Sequence, residues 1–310
     1  MKAKSLTNSL LLFFAACIWG LAFISQSKGM EAMQPLTFNG IRSLLGGVVV
    51  LPVMLLRLKV RKRENADKNI KSTGINWKIT LTGGLLCGIF YTVASNLQQY
   101  GIMTTTVGKA GFITTLYIIF VPVLGIFLRK KVPSIVWLGA AIAAAGMYLL
   151  CMTESFTLAY GDLLVFLCAI LFAIHILIVD YYSPKTDGVI LSCMQLLICG
   201  ITSTIAAFMI ERPTFSQIAQ GYIPILYAGI MSCGVAYTLQ IIGQKNVNPT
   251  IASLIFSLES VVAALSGYVA YKVGFLKTDQ TLTARQIVGC AIVLMAVILV
   301  QLPIGKTNKK

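Results

Sequence analysis

One stretch of the chain, residues 97–128, reads LQQYGIMTTTVGKAGFITTLYIIFVPVLGIFL, and a second, residues 239–270, reads LQIIGQKNVNPTIASLIFSLESVVAALSGYVA. The two align without gaps. Equivalent glycines fall on one another: Gly101 on Gly243, Gly125 on Gly267 and, after a short insertion, Gly139 on Gly289. The chain therefore contains one unit twice, and each copy predicts the same set of helices.

Apolar residues dominate the composition. Hydrophobic residues make up 57% of the 310 and charged residues 11%, against about 25% charged in soluble domains, so a soluble fold of this length would lack a polar surface. Ten apolar segments are each close to the ~20 residues that cross a ~30 Å hydrocarbon layer. They lie at residues 6–26, 36–56, 78–99, 106–128, 134–152, 162–181, 189–210, 222–244, 250–271 and 284–303. We predict an all-α integral membrane fold.

The ten segments divide into five per copy, in residues 1–153 and 154–310. Because five is odd, the second copy must lie upside down in the membrane relative to the first. Inverted repeats of this kind are typical of transporters that expose a central site to one side of the membrane at a time. The sequence thus predicts ten transmembrane helices as two inverted five-helix repeats.

The formal charge of +15 is explained by its placement. If the N-terminus is cytoplasmic, most Lys and Arg residues fall in cytoplasmic loops and termini, as the positive-inside rule requires. We therefore predict a multi-pass protein of the cytoplasmic (cell) membrane with both termini in the cytoplasm, and no nucleic-acid partner. The first segment lacks a clear cleavage site, which favours a retained span over a signal peptide. The longest predicted loop, residues 57–77, is basic and could also contact headgroups of membrane lipid.

The sequence contains no recognisable motif for catalysis, a metal or a cofactor. The eight cysteines lie in or at the ends of the apolar segments without C-x-x-C pairs, which favours packing over a redox or metal role. An intramembrane enzyme would need a nucleophile and base, or paired aspartates, at membrane depth. Asp180 and Asp187 lie at segment ends, and no G-x-S-x-G or H-E-x-x-H occurs. We expect no enzyme, no metal, no cofactor and, without an ATP-binding motif, no primary pump.

Two charged residues lie inside predicted spans, where they are costly and therefore informative. Glu259 is near the middle of the ninth span, where its carboxyl could carry a coupling proton, pair with a cationic substrate group, or serve structure alone. Arg42 lies early in the second span, with Asn39 one turn before it on the same face. Arg42 could grip a substrate carboxylate, reach outward to headgroups, or pair with Glu259.

His175, the single histidine, lies in the sixth span. It could relay protons near neutral pH or simply pack. Gln195 occupies in the seventh span the place that Arg42 holds in the second. The charge is therefore asymmetric between the repeats, which a substrate with one charged end would explain.

Four aromatic residues lie within spans, and not at the level of the headgroups, where Trp and Tyr usually collect. They are Trp19, Tyr91, Tyr117 and Tyr237. They could line a cavity that stacks on an organic solute, or they could fill the core or face lipid. Tyr117 is also the repeat counterpart of Glu259, so only one repeat carries the acid. The predicted substrate site comprises Trp19, Asn39, Arg42, Tyr91, Tyr117, His175, Gln195, Tyr237 and Glu259, with Glu259 and His175 as candidates for gating or coupling.

Small residues recur along one face of the ninth span. They are Ser253, Ser257, Ser260, Ala264 and Gly267. A stripe of small side chains lets another helix approach closely. It could serve packing within the chain, or it could form a sliding or homodimer surface.

Several of these elements together resemble a known family. They are Ile18-Trp19-Gly20 in the first span, Arg42 in the second, and ASLIFSLES at residues 252–260 before a Gly-rich last span. With the inverted ten-span organisation, they make the whole chain similar to the EamA-type branch of the drug/metabolite transporter superfamily. Members commonly read Leu-Glu-Pro where residues 258–260 read Leu-Glu-Ser.

The resemblance implies secondary transport of a small metabolite, often an amino acid or a related amphipathic solute, through a cavity between the halves. We expect alternating access, with export as the favoured direction and a proton as a possible coupling ion. A passive channel or a membrane receptor for a small solute is the alternative.

Overall fold

A computed structural model describes residues 2–67, 75–104, 107–130, 132–151, 159–245, 247–275 and 281–301. All regular structure in these ranges is helical. Eight of the helical segments are long and apolar enough to cross a membrane, and two further apolar helices, Ser134–Leu150 and Ala284–Val300, are shorter. The prediction of an all-α membrane fold with ten apolar segments is confirmed.

We number the ten apolar helices α1 to α10 in chain order. They are α1 (Lys2–Ala32), α2 (Pro35–Asp67), α3 (Trp77–Thr104), α4 (Val107–Thr115 and Tyr117–Phe127), α5 (Ser134–Cys151), α6 (Tyr160–Tyr182), α7 (Gly188–Ile210), α8 (Tyr222–Leu226, Tyr227–Ala236 and Tyr237–Gln244), α9 (Pro249–Phe256 and Leu258–Lys272) and α10 (Ala284–Gln301). A short helix, Phe215–Gln220, precedes α8. The predicted boundary between the repeats, at residues 153 and 154, lies outside the described residues.

The second helix is longer than predicted. The sequence predicted a polar loop from about residue 57, whereas α2 continues to Asp67. Arg57 and Arg61, one turn apart on α2, reach the buried carboxylate of Asp187 at the start of α7, at 3.4 and 3.6 Å. These ion pairs hold the added turns of α2 against α7. A hydropathy pattern cannot show this, because the added turns are polar.

Glu211 connects the same two helices at their other ends. It follows α7, and its carboxylate accepts hydrogen bonds from the backbone N–H groups of Leu36 and Thr37, both at 2.8 Å. The hydroxyls of Thr37 and Tyr100 also donate to it. A carboxylate at a helix N-terminus satisfies otherwise unpaired N–H groups and is favoured by the helix dipole. Polar contacts thus join α2 to α7 at both ends.

Helices of one repeat pack mainly against helices of the other. Gly101 in α3 lies against Val165 in α6, and Gly243 in α8 lies against Leu12 in α1, so closely that neither glycine has room for a Cβ. Gly101 and Gly243 are equivalent, and so are Leu12 and Val165, which are 153 positions apart. The α3–α6 contact is therefore repeated as the α8–α1 contact, with the repeats exchanged.

Two helix pairs consist of a helix and its own counterpart. In the α2–α7 pair, Gly47 lies against Leu197 and is matched by Gly200 against Leu44. In the α5–α10 pair, glycines likewise face backbone of the partner helix. A contact that maps onto itself when the repeats are exchanged must lie on the axis that relates them. The described helices therefore have the approximate two-fold relation that inverted repeats require.

The middle of α8 departs from the repeat. Residues Tyr227–Ala236 form a π-helix, whereas the matching part of α3 is α-helical. Gly88 and Gly229 contact equivalent residues of α7 and α2 and are 141 positions apart, whereas Gly101 and Gly243 are 142 apart. The helix α8 therefore carries one extra residue, which the wider turns of the π-helix absorb.

Helices α4 and α9 are each interrupted once, at Leu116 and Ser257. Both breaks fall beside hydroxyl side chains that bond back into their own helix. The Ser257 hydroxyl donates to the carbonyl of Leu254 at 2.7 Å, and Thr115 bonds back in the same way. Back-bonding of this kind bends helices. Helix α9 is therefore interrupted although residue 260 is Ser, not the Pro that the resemblance predicts.

Candidate functional site

A cavity lies between α1, α2, α3, α4, α6, α8 and α9. Its empty space, including the part open to solvent, is about 510 Å³. Its lining residues are Trp19, Phe23, Gln26, Arg42, Gln98, Thr114, Tyr117, Phe172, Ile176, Ser232, Tyr237, Gln240, Phe256 and Glu259. Aromatic, amide and charged side chains thus share one space inside the helix bundle.

Ten of these residues form repeat-equivalent pairs. The step is 153 positions from α1 to α6, and 142 positions from α3 and α4 to α8 and α9. The pairs are Trp19 with Phe172, Phe23 with Ile176, Gln98 with Gln240, Thr114 with Phe256, and Tyr117 with Glu259. Both repeats therefore contribute the same positions to one cavity, which lies on the axis between them.

Glu259 is hydrogen-bonded to its own repeat counterpart. The Tyr117 hydroxyl donates to Glu259 Oε1 at 2.9 Å, and the two residues are 4% and 6% exposed. Two equivalent positions can touch only where the axis passes between them. Among the described residues, no Lys or Arg lies within ion-pair distance of Glu259, so the pairing with Arg42 that the sequence allowed is not formed.

Arg42 is held by Asn39. Its Nε donates to Asn39 Oδ1 at 2.9 Å, and the guanidinium lies 5.4 Å from the centre of the Phe38 ring. Asn39 Nδ2 donates in turn to Ser95 Oγ at 2.9 Å and to Asn96 Oδ1 at 2.8 Å. Asn39 does not line the cavity, and its amide is occupied on both sides. It orients Arg42, whose terminal nitrogens have no hydrogen-bond partner among the described residues and, as charged donors, are able to bind an anionic group.

Three other residues predicted for the site lie behind its wall. His175 Nε2 is 2.9 Å from Gln195 Oε1, and both side chains are fully buried. Because an amide oxygen only accepts, Nε2 carries the hydrogen in this arrangement. The Tyr91 ring centre is 6.0 Å from that of His175 and 4.5 Å from that of Tyr237. Tyr91 therefore packs between His175 and Tyr237, and of these three Tyr237 alone lines the cavity.

One wall of the cavity is aromatic. The Trp19 ring centre lies 4.8 Å from that of Tyr237 and 5.3 Å from that of Phe256. Gly20, next to Trp19, lies directly against the backbone carbonyl of Glu259. Helix α1 therefore packs closely on α9 at this point, and that contact places the indole over the cavity.

The small-residue stripe of α9 is partly buried by this packing. Ser253, Ser257 and Ser260 are each 3% exposed or less. Their hydroxyls all donate to carbonyls three residues earlier in α9. Packing within the chain accounts for this part of the stripe, and the homodimer remains a prediction.

Sequence reasoning missed several polar lining residues. Gln98 and Gln240 lie near the ends of the predicted third and eighth spans, residues 78–99 and 222–244, yet both line one cavity. Helix α3 runs to Thr104, which places Gln98 more than a turn from its end. The repeat register held the missing signal, since Gln98 and Gln240 are equivalent. Gln26, Thr114 and Ser232 also line the cavity and carried no comparable signal.

Four lining residues lack a lining counterpart: Gln26, Arg42, Ser232 and Tyr237. Arg42 corresponds to Gln195, and Tyr237 corresponds to Ser95; neither counterpart lines the cavity. Most lining positions are thus related by the repeat symmetry, but the part of the cavity that these four residues line has no symmetric equivalent. A substrate with distinct ends would bind in one orientation.

Comparison with known proteins gives consistent matches along the chain. The model of the EamA-like transporter family matches residues 7–152 and 159–302. An uncharacterized transporter of Archaeoglobus fulgidus is 28% identical over 306 residues, covering 96% of this chain and 87% of the relative. Protein PecM of Dickeya dadantii is 24% identical, covering 93% and 90%. The uncharacterized transporter YoaV of Bacillus subtilis is 21% identical, covering 89% and 90%.

A solved crystal structure of a protein has the same fold. It superposes with a TM-score of 0.73 over 96% of each chain, at 17% sequence identity. At this identity the likeness establishes the fold alone.

Proposed function

Because the chain belongs to the EamA-like transporter family, we propose that it is a secondary active transporter of a small organic metabolite. The substrate is an amino acid or a related amphipathic solute, which the protein exports across the cytoplasmic membrane by alternating access. We place both termini in the cytoplasm and assign a proton as the coupling ion.

The observation that carries this proposal is the position of the cavity on the repeat axis. In an inverted-repeat transporter, the substrate site lies at the interface of the repeats near the midplane of the bilayer. Ten of the fourteen lining residues are repeat-equivalent, so exchanging the conformations of the repeats would leave the same positions around the substrate. A site on the axis is what alternating access from both sides requires.

The lining chemistry suits an amphipathic ion. Arg42 offers charged donors for a carboxylate, and Glu259 offers an acceptor for an ammonium group. Trp19 and Tyr237 provide an aromatic surface for an apolar part. Two opposite charges that are not paired with each other inside one cavity leave both free for substrate.

In the proposed cycle, each moving group of helices contains helices from both repeats. Helices α3, α4 and α6 pack together, and so do α1, α8 and α9. These two groups map onto each other when the repeats are exchanged. We propose that they rock against each other, while α2–α7 and α5–α10, which lie on the axis, form the frame.

Counterflow in proteoliposomes tests this function. Vesicles preloaded with amino acids, amines, organic acids or nucleosides are diluted into labelled substrate, with and without an imposed pH gradient. We expect saturable exchange for one substrate class and acceleration by the gradient. Linear, unsaturable flux would instead indicate a passive channel, and binding without flux would indicate a receptor.

A further inference from the structure

A chain of hydrogen bonds fixes the amide of one cavity residue. Gln244 Nε2 donates to the backbone carbonyl of Ile176 at 3.2 Å, and Gln240 Nε2 donates to Gln244 Oε1 at 3.1 Å. Both glutamines are buried: Gln240 is 2% exposed and Gln244 is 0% exposed. Gln240 Oε1 has no hydrogen-bond partner among the described residues.

The direction of this chain follows from its first member. A backbone carbonyl can only accept, so the NH₂ group of Gln244 must face Ile176. The oxygen of Gln244 then faces Gln240 and requires the NH₂ group of Gln240 toward it. Gln240 therefore keeps its oxygen away from Gln244, and a flipped amide would place two NH₂ groups or two oxygens together.

The repeat counterpart lacks this constraint. Gln98 Nε2 lies 3.2 Å from Thr114 Oγ1, and a hydroxyl can either donate or accept, so it does not decide the orientation of the amide. The position equivalent to Gln244 is Ile102, which cannot form the chain. Among the described residues, therefore, Gln240 is held in one fixed orientation and its counterpart Gln98 is not.

We propose that Gln240 is a specificity-determining residue whose carbonyl oxygen accepts a hydrogen bond from an N–H group of the substrate, and that Gln244 positions it. The inference rests on the proposed function, since Gln240 lines the same cavity. A buried acceptor without a partner costs free energy, and a substrate N–H would satisfy it. A site of this kind rejects analogues that lack the donor.

An ammonium group fits the neighbouring chemistry. Gln240 and Glu259 both line the cavity, and the unpartnered oxygen of Gln240 and the carboxylate of Glu259 are both hydrogen-bond acceptors. A primary ammonium carries three N–H donors, whereas a trimethylated ammonium keeps the charge and has none. Comparing the two separates hydrogen bonding from charge, because Glu259 attracts both.

The test measures inhibition of labelled L-phenylalanine counterflow by L-phenylalanine and by its N,N,N-trimethyl betaine. Phenylalanine is chosen because its ring suits the aromatic wall. We expect the wild type to prefer the amino acid. Gln240→Leu and, independently, Gln244→Leu should reduce that preference about tenfold, as the loss of a buried hydrogen bond implies. Gln220→Leu makes the same chemical change at an exposed position and should leave the preference unchanged.

The outcomes separate the inference from the function. Normal counterflow with an unchanged preference in folded Gln240→Leu protein would overturn the role of Gln240. A loss in Gln240→Leu without any change in Gln244→Leu would overturn the positioning role. Absence of counterflow in the wild type, for phenylalanine and for the wider panel of solutes, would refute the proposed function itself and the inference with it.

Discussion

Removing the hydroxyl of Tyr117 tests the hydrogen bond on the repeat axis. This hydroxyl donates to Glu259 Oε1 at 2.9 Å, and both side chains are almost fully buried. A hydrogen bond to a charged group contributes about 1.5–3 kcal/mol in soluble proteins. Polar pairs in a membrane protein average about 0.6 kcal/mol and reach about 1.7. We therefore expect about 1 kcal/mol of coupling, or roughly a fivefold effect on a rate.

The assay is a double-mutant cycle with Tyr117→Phe, Glu259→Gln and the double variant, measured as counterflow rates in proteoliposomes. Because the partners interact directly, the double variant should be about fivefold faster than the product of the single effects predicts. Glu259→Gln should also abolish accumulation driven by a pH gradient while exchange persists, since an amide cannot carry the coupled proton. Tyr160→Phe, at a residue that is 73% exposed, is the matched control.

Two results would refute this reasoning. If the rate of the double variant lies within about twofold of the rate that the product of the two single effects predicts, the hydrogen bond does not contribute to transport. If Glu259→Gln still accumulates substrate with unchanged pH dependence, Glu259 is not the coupling group and the bond to Tyr117 is purely structural.

Three further variants probe other contacts. Arg42→Ala should weaken the binding of carboxylated substrates about tenfold or more relative to that of their amine analogues, measured by competition in counterflow. Arg42→Lys should restore only part of the lost binding, because lysine lacks the planar guanidinium that binds a carboxylate through two hydrogen bonds. Equal loss of binding for acids and amines would indicate a structural role for Arg42. Glu211→Gln should lower the free energy of unfolding by about 1.5–3 kcal/mol, seen as a lower melting temperature in detergent. The control Glu31→Gln, on the exposed surface, should leave the melting temperature unchanged. Equal melting temperatures for the two variants would contradict the role of Glu211 as the cap of the α2 N-terminus. Gly20→Ala should lower the free energy of unfolding by about 1–3 kcal/mol, because the added Cβ would lie 2.7 Å from the carbonyl oxygen of Glu259. The control Gly111→Ala places its Cβ in open space and should not lower the melting temperature. An unchanged melting temperature in Gly20→Ala would show that α1 and α9 are not tightly packed.

The sequence indicates the buried charged and aromatic residues well. Arg42 and Glu259 stand out because an ionisable side chain within a span is costly, and both line the cavity. Trp19, Tyr117 and Tyr237 stand out because they lie away from the headgroup level, and they line it too. Each of these signals depends on the residue type and its depth, which hydropathy alone supplies.

The sequence does not indicate which polar groups satisfy one another. His175 and Gln195 lie on different helices and face each other, so neither offers its bonded atom to the cavity. Asn39 shares a helix face with Arg42, but its amide oxygen accepts a hydrogen bond from Arg42. These outcomes depend on distances of a few tenths of an ångström between helices, which a pattern of residue types along one helix does not contain.

The exchange of helices between repeats also had no local signal. An odd number of spans per repeat predicts inversion, but it does not say that α3 packs on α6 rather than within its own half. That choice depends on where glycines such as Gly101 meet a bulky partner such as Val165. The extra residue in α8 was likewise hidden, because an alignment that begins after the π-helix does not pass through it.

The most direct test of alternating access through the axial cavity is the accessibility of Ser232, which lines it. Ser232→Cys is introduced into a chain whose eight native cysteines are replaced, and a charged thiol reagent is applied separately to right-side-out and inside-out vesicles. We expect modification from both sides, slowed in each case by the substrate that counterflow identifies. Modification from one side only, whatever the substrate present, would contradict a central site that opens alternately to the two sides of the membrane.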